Sequence, residues 1–334
     1  MTLSARSRAD VTAALHDIQA PVRDRLDRVA TEIWRIVSAD LPLVEEVNAH
    51  LLGMKGKMFR PTLVLLASAA DDQPEPRAIS IAAALEVLHL ATLVHDDAVD
   101  HSVLRRGMPT VNTLFSHQIS VIMGDFLYAR TLGELVRLGD MEVLRVFTRA
   151  STEMTLGELR QLGALDALRF TEDDYNALIR AKTASLFQAA CEVGALSGAA
   201  RHRAALSRYG ERLGMAFQIA DDLLDYTEGQ EMTGKPTGLD LREHKVTLPL
   251  IAALREMPAA ARTRVEALFE TAEPTDAQVA DVVAIVGEHG GLEYARRRGE
   301  QVAHEAEDAL STLPDSPVRN ALSDAIGYVM DRRW

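Results

Sequence analysis

One acidic pattern occurs twice, as Asp96-Asp97-Ala98-Val99-Asp100 and again as Asp221-Asp222-Leu223-Leu224-Asp225, and it constrains the chain more than any other feature. In a helix the first and fifth positions fall one turn apart on one face, so each pattern aims two carboxylates the same way. Like charges so placed repel, and both patterns follow apolar sequence, Leu93-Val94-His95 and Phe217-Gln218-Ile219-Ala220. Neither pattern stabilises a helix by itself, so something cationic must hold it. Hard divalent ions such as magnesium take oxygen ligands, keep several waters and share their coordination with phosphates. The doubled spacing therefore predicts two helices whose aspartates face each other around metal and a phosphorylated ligand.

Composition narrows the architecture. The chain has 334 residues, of which 47% are apolar and only 5% aromatic, a balance that favours packed helices over sheets. An all-α protein is expected. Net charge is −13 with no basic stripe, which removes the electrostatic requirement for binding nucleic acid. An anionic substrate must then be met by local cations. Cys191, the one cysteine, lies in the small-residue run Ala189-Ala190-Cys191-Glu192-Val193-Gly194 and reads as a packed thiol rather than a nucleophile. Neither a signal-like N-terminus nor a run of about 18 apolar residues is visible, so the expectation is a cytoplasmic protein, free or peripheral to a membrane, without a transmembrane segment.

No proline occurs between Pro109 and Pro236, and apolar residues recur there at spacings of three and four. Helices are predicted near 117–137, 141–162, 171–197 and 203–227, with Thr171-Glu172-Asp173-Asp174 as an N-cap and acidic first turn. Upstream, Pro74 and Pro76 precede a helix running to about Asp100, so the first acidic cluster ends a helix. From Tyr226 to Lys245 the sequence turns polar and glycine-bearing, a lid-like loop after the second cluster. No linker marks a second domain, and residues 1–334 read as one domain.

Basic residues gather near the acidic clusters: Lys57 and Arg60, Arg105 and Arg106, Lys182, Lys235 and Lys245. Each alone would be an ordinary solvated charge. Their positions imply two anionic groups, one diphosphate on metal-bearing aspartates and a second on Lys57, Arg60 and Arg106, with apolar helix faces holding something greasy between.

The blocks GKMFRP (56–61), LEVLHLATLVHDDAVDHSVLRRGMPT (85–110), GDFLYAR (124–130), GELRQL (157–162), AKTASLF (181–187) and FQIADDLLDYTEGQEMTGKPTGLDLREHKVTLP (217–249) resemble, in this order and nearly end to end, the trans-type polyprenyl diphosphate synthases. The resemblance implies an isoprenoid synthase-like helical bundle around a deep central cavity, and a homodimer. It implies that Asp96, Asp97, Asp100, Asp221, Asp222 and Asp225 hold magnesium, about three ions, on an allylic diphosphate (dimethylallyl, geranyl, farnesyl or geranylgeranyl). Arg105, Lys182, Thr183, Gln218, Lys235 and Lys245 would be its other contacts, with Lys182 counted among the catalytic groups. Isopentenyl diphosphate would lie on Lys57, Arg60, His89 and Arg106. The allylic carbon–oxygen bond would ionise, the double bond of isopentenyl diphosphate would attack, and a proton would leave to the released diphosphate. Two departures stand out: His244 replaces the usual glycine before Lys245, and Thr155-Leu156 replaces the usual Ser-Glu before Gly157.

Other readings fit less well. Glu86-x-x-His89 is half of a di-iron carboxylate motif, and the second half is missing. His95-Asp96 as a phosphohydrolase dyad would need further histidine ligands, so His95 reads as a packing residue. A class I terpene cyclase would carry a different second motif, and the non-catalytic subunit of a heteromeric synthase would have lost aspartates; the catalytic subunit of such a synthase remains open. Ala91 and Thr92 lie five and four residues before Asp96, about one turn deeper at ~1.5 Å per residue. Both are small, so the resemblance implies a tunnel open to products beyond about twenty carbons, roughly thirty to fifty, with Phe147 as a deeper floor. A short-chain product of about fifteen to twenty carbons is the alternative, should another residue close the tunnel sooner.

Overall fold

A computed structural model describes residues 8–54, 56–71, 73–162, 167–227 and 237–331. Its helices are α1 (Arg8–Gln19), α2 (Arg23–Val37), α3 (Pro42–Gly53), α4 (Phe59–Ser68), α5 (Arg77–Val99), α6 (Val111–Leu114), α7 (His117–Leu138), α8 (Met141–Leu162), α9 (Glu172–Ile179), α10 (Ser185–Leu196), α11 (Arg203–Thr227), α12 (Leu239–Arg242), α13 (Leu248–Glu256), α14 (Ala259–Phe269), α15 (Asp276–Glu288), α16 (Gly291–Leu310) and α17 (Pro317–Met330). The strands described are a two-residue hairpin, β1 (Leu104–Arg105) and β2 (Met108–Pro109). The all-α class follows directly from the alanine- and leucine-rich, proline-poor middle of the chain.

Helix ends sit where local chemistry puts them. Ser116 starts α7 by accepting a bond from the Ile119 amide, and Gly139, at φ +68°, ends it in a left-handed cap. Thr171 and Asp174 form a reciprocal capping box at the start of α9. The expected helix over 171–197 is continuous in direction but changes winding: Arg180–Ala184 is a π-turn in which the Ser185 amide bonds the Arg180 carbonyl, five residues back. An inserted residue of this kind leaves no mark on apolar periodicity at the resolution of one turn.

The central helix α5 is buried almost all round: Ile81 through Leu85 and Val87 are fully enclosed. An 18-residue window of α5 has mean hydropathy 1.7, enough by length and composition to cross a membrane, yet 67% of it is buried inside the protein. The expectation that no apolar stretch of this length exists overlooked it because Glu86 and His89 interrupt the run of apolar letters without lowering the average far. An all-round apolar helix packed by neighbours is a core helix. It lies against α2 and α7, while α11 is sandwiched between α10 and α16. These two long helices share one continuous apolar core and carry the two acidic patterns at their C-terminal ends.

Candidate active site

A helix C-terminus carries partial negative charge from its unpaired carbonyls, so aspartates there are disfavoured twice, by each other and by the dipole. Asp96, Asp97 and Asp100 occupy the last turn and cap of α5, and Asp221, Asp222 and Asp225 the last two turns of α11. The carboxylates do not share one environment. Asp97 is buried and accepts from Arg105 Nε at 2.9 Å on both oxygens. Asp222, 4% exposed, accepts from the Tyr175 hydroxyl at 2.5 Å and from Gln218 Nε2 at 2.8 Å. Asp225 caps α12, taking the Leu239 and Asp240 amides at 3.0 Å on its two oxygens. Asp96 is half-buried, and Asp100 and Asp221 are exposed. Among the described residues no group of three or more acidic, histidine or cysteine side chains is already gathered to metal-binding distance.

Cations and the π-turn join the two helix ends. Lys182 Nζ bonds both oxygens of Glu158 (2.8 and 2.9 Å) and Gln161 Oε1 (3.1 Å), and its charge acts on Asp96. Thr183, the next residue, donates to Gln218 Oε1 at 2.7 Å, and Gln218 in turn holds Asp222. The π-turn thus sends consecutive side chains toward α8 and α11. Gly157 lets α8 come this close: a Cβ there would stand 3.1 Å from the Ala181 Cβ and 3.2 Å from the Lys182 nitrogen. Lys245 lies on the other side, bonded to Glu243 at 2.6 Å and in the field of Asp240 and of Asp100 from the first cluster. Burial, then Glu158, pushes the Asp96 carboxyl up to about 6. Burial, then Asp225, pushes Asp240 up to about 7. Both carboxyls are short of positive charge, and a hard cation beside them would reverse that.

The second group of cations is ordered by contacts of its own. Met58, at φ +51°, turns the chain into α4, so that Lys57 falls 5.6 Å from the Tyr328 ring and Arg60 stacks 4.7 Å from the Phe187 ring. Arg60 Nη1 donates to His89 Nε2 at 2.9 Å; burial and the neighbouring arginines keep His89 neutral, hence able to accept. Arg106 and Gly107, at φ +53° and +75°, are the centre of the β1–β2 turn, a conformation that demands positive φ at both positions. That turn aims Arg105 at Asp97 and Arg106 at the Met54 carbonyl, 2.9 Å away.

Lys235 and the middle of the expected lid lie outside the described residues. Ala91 and Phe147 are each 2% exposed within the core, and Thr92 donates to the His89 carbonyl at 2.8 Å. His95 Nε2 meets the Val121 carbonyl at 3.1 Å and Asp125 at 3.4 Å, a packing contact between α5 and α7. A cleft of about 650 Å³, lined by Gln188, Glu192, Arg203 and Ser207, lies near the start of α11, nineteen residues or about 28 Å along the helix from Asp222. Glu158, Gln161, Tyr175 and Asp240 are site neighbours that sequence reasoning did not single out. Glu158 and Gln161, three apart on one helix face within GELRQL, carried a usable signal; Tyr175 carried none.

Residues 41–286 match the polyprenyl synthetase family. Over 318 residues the chain is 40% identical to the all-trans-nonaprenyl-diphosphate synthase (geranyl-diphosphate specific) of Rhodobacter capsulatus, spanning 95% of this chain and 97% of that one. It is 37% identical over 296 residues to the octaprenyl diphosphate synthase of Escherichia coli K12, spanning 88% and 91%. The polyprenyl synthase of Caulobacter crescentus CB15, solved with calcium and isoprenyl diphosphate, has the same fold at a TM-score of 0.90 and 33% identity, covering 96% of this chain and 98% of that one. The order of the motifs, the two aspartate-tipped helices and these likenesses agree: the chain belongs to the polyprenyl synthetase family and is a prenyltransferase of the medium- to long-chain trans type.

Proposed function

We propose that the chain condenses isopentenyl diphosphate head to tail with an allylic diphosphate and extends a trans-polyprenyl diphosphate past twenty carbons. The observation that carries this reading is that charge links the two aspartate-bearing helix ends: Lys182 acts on Asp96, and Lys245 on both Asp100 and Asp240, whose amide Asp225 holds. The hard oxygens of Asp96, Asp100 and Asp221 suit magnesium, and Asp97, Asp222 and Asp225 hold Arg105, Gln218 and α12 in place around them. Magnesium, when bound, would neutralise the departing diphosphate and lower the barrier to breaking the allylic carbon–oxygen bond.

The chain's own groups do the rest. Arg105 commits Nε to Asp97, which leaves its Nη groups for the allylic diphosphate. Lys182 would leave Glu158 and Gln161 for the more highly charged diphosphate, and Lys245 would meet the same group, with Lys235 its partner by the family resemblance. Lys57, Arg60, His89 and Arg106 hold isopentenyl diphosphate so that its double bond meets the allylic carbon. The new carbon–carbon bond forms as that carbon loses its diphosphate, and the proton shed by the isopentenyl unit passes to the diphosphate released. The lengthening tail runs past Ala91 and Thr92 toward Phe147 in a central apolar cavity. The exposed apolar side chains on α7 and α8, Ile122 (64%), Val136 (71%) and Leu162 (70%) among them, support a homodimer. We read residues 1–334 as one working unit that acts in the cytoplasm. Replacing Asp96 or Asp221 by Ala should lower turnover by orders of magnitude while leaving the helical circular dichroism intact, and excess EDTA should abolish turnover of the wild type. Full activity of either variant, or activity in EDTA, contradicts the reading.

A further inference from the structure

Three buried carboxylates lie outside the aspartate clusters, Glu86, Glu134 and Glu192, and the last two are ion-paired with arginines. Glu86 sits on α5 one turn before His89, on the same helix face, and is 8% exposed. It makes no hydrogen bond among the described residues, and the positive charges acting on it are those of Arg60 and Arg106. Those two guanidiniums take their orientation from other groups. Arg60 is set by the Phe187 ring and His89 Nε2, with its buried Nε left without a partner, and Arg106 by the Met54 carbonyl. Glu86 therefore contributes charge rather than aim.

Two guanidiniums held together in partly dry surroundings repel, and a carboxylate whose charge acts on both offsets part of that repulsion. The balance reverses when an anion arrives. A diphosphate seated on Arg60 and Arg106 neutralises them itself, and Glu86 becomes a like charge beside it. We propose that Glu86 is the resident counter-ion of the isopentenyl diphosphate site: it stabilises the empty Arg60–Arg106 pair and weakens the hold on the diphosphate that takes its place. Glu86 thus acts through the charge of the two arginines and trades affinity for the stability of the empty site. The inference rests on isopentenyl diphosphate binding at Arg60.

Titration calorimetry and thermal melts on the full chain test it, with isopentenyl diphosphate and, separately, inorganic pyrophosphate as probes. Glu86→Gln keeps the shape and removes the charge. It should lower the melting temperature of the ligand-free protein and tighten the Kd for isopentenyl diphosphate about three- to tenfold, the size expected of one charge removed in partly screened surroundings. The ligand should then raise the melting temperature further than it does for the wild type, and the Michaelis constant of the allylic diphosphate should change less than that of isopentenyl diphosphate. Weaker binding by Glu86→Gln would overturn the proposal in favour of an orienting role, and unchanged affinity would reduce Glu86 to packing. Glu86→Asp, which keeps the charge but withdraws it by one methylene, should stay within about twofold of wild type in affinity; a several-fold loss overturns the proposal even if the Gln variant fails to fold. Arg60→Ala separates the two levels. If it leaves the affinity untouched, the site assignment itself fails; if it weakens binding while the Glu86 variants do nothing, only the counter-ion role fails.

Discussion

Asp96 and Asp240 bind a proton more tightly in the folded chain than in the unfolded one, at about 6 and about 7 against an ordinary 3.8. A raised carboxyl contributes its stability fully below the unfolded value and loses it as pH climbs through the folded value. Metal-free protein should therefore become less stable between pH 5 and pH 8. Carboxyls whose values are lowered by hydrogen bonds, such as Glu32, Glu134 and Asp140, change charge only on the acid side of this window, while His89, held neutral by burial, gains stability as pH rises toward its ordinary 6.5 and offsets part of the fall, not all of it. Magnesium, held as proposed, would compete with those protons, so it should raise the melting temperature more at pH 8 than at pH 5. Thermal melts of EDTA-treated protein across that range, with and without added magnesium, check both signs. A metal-free melting temperature that rises from pH 5 to pH 8 would contradict the placement of the acidic groups. At the same scale, the departure at position 244 has a local reason. His244 adopts φ +55°, a conformation in which a side chain costs about 1–2 kcal/mol and glycine costs nothing. The imidazole offsets part of that by its 3.0 Å contact with the Thr271 carbonyl and its packing near Phe269.

Helix α7 shows what one element can and cannot reveal. Its inner face, Met123, Leu127 and Leu135, is buried against α5 and its neighbours, while Ile122, Tyr128 and Val136 face outward. Apolar residues exposed at positions 122 and 136, four turns apart on one side, have no cover among the described residues. A second copy would bury the stripe, and light scattering should give twice the chain mass of 36.6 kDa. Ile122→Asp together with Val136→Asp should shift that mass toward the monomer; a wild type that scatters as a monomer at micromolar concentration would contradict the homodimer. The helix boundaries were largely readable because caps are local: Ser116, Thr171 and the Gly139 turn are each written in one or two residues. The π-turn at Arg180–Ala184 was not, since it arises where α8 at Gly157 and α11 at Gln218 press on the helix from opposite sides.

Across the whole molecule, the doubled aspartate pattern disclosed the two helices that matter and their common end, because charge in an apolar helix is visible in a single sequence. The division of labour among the aspartates was not visible. It depends on Tyr175 from α9 and Arg105 from β1, together with Gln218 one turn before Asp222 on α11 itself, which take up Asp222 and Asp97. In this structure Asp97, Asp222 and Asp225 are engaged with a cation, a side-chain amide and the start of α12 respectively. On the proposed reading the growing tail would pass the small residues below Asp96, chiefly Ala91, which lies buried in the core. The most direct measurement is to incubate the purified protein with labelled isopentenyl diphosphate, an allylic diphosphate and magnesium, with a parallel sample in excess EDTA, and to size the products. The account predicts trans-polyprenyl diphosphates longer than C20 in the first sample and none in the second. No elongation, elongation in EDTA, or a product that stops at or below C20 would contradict it.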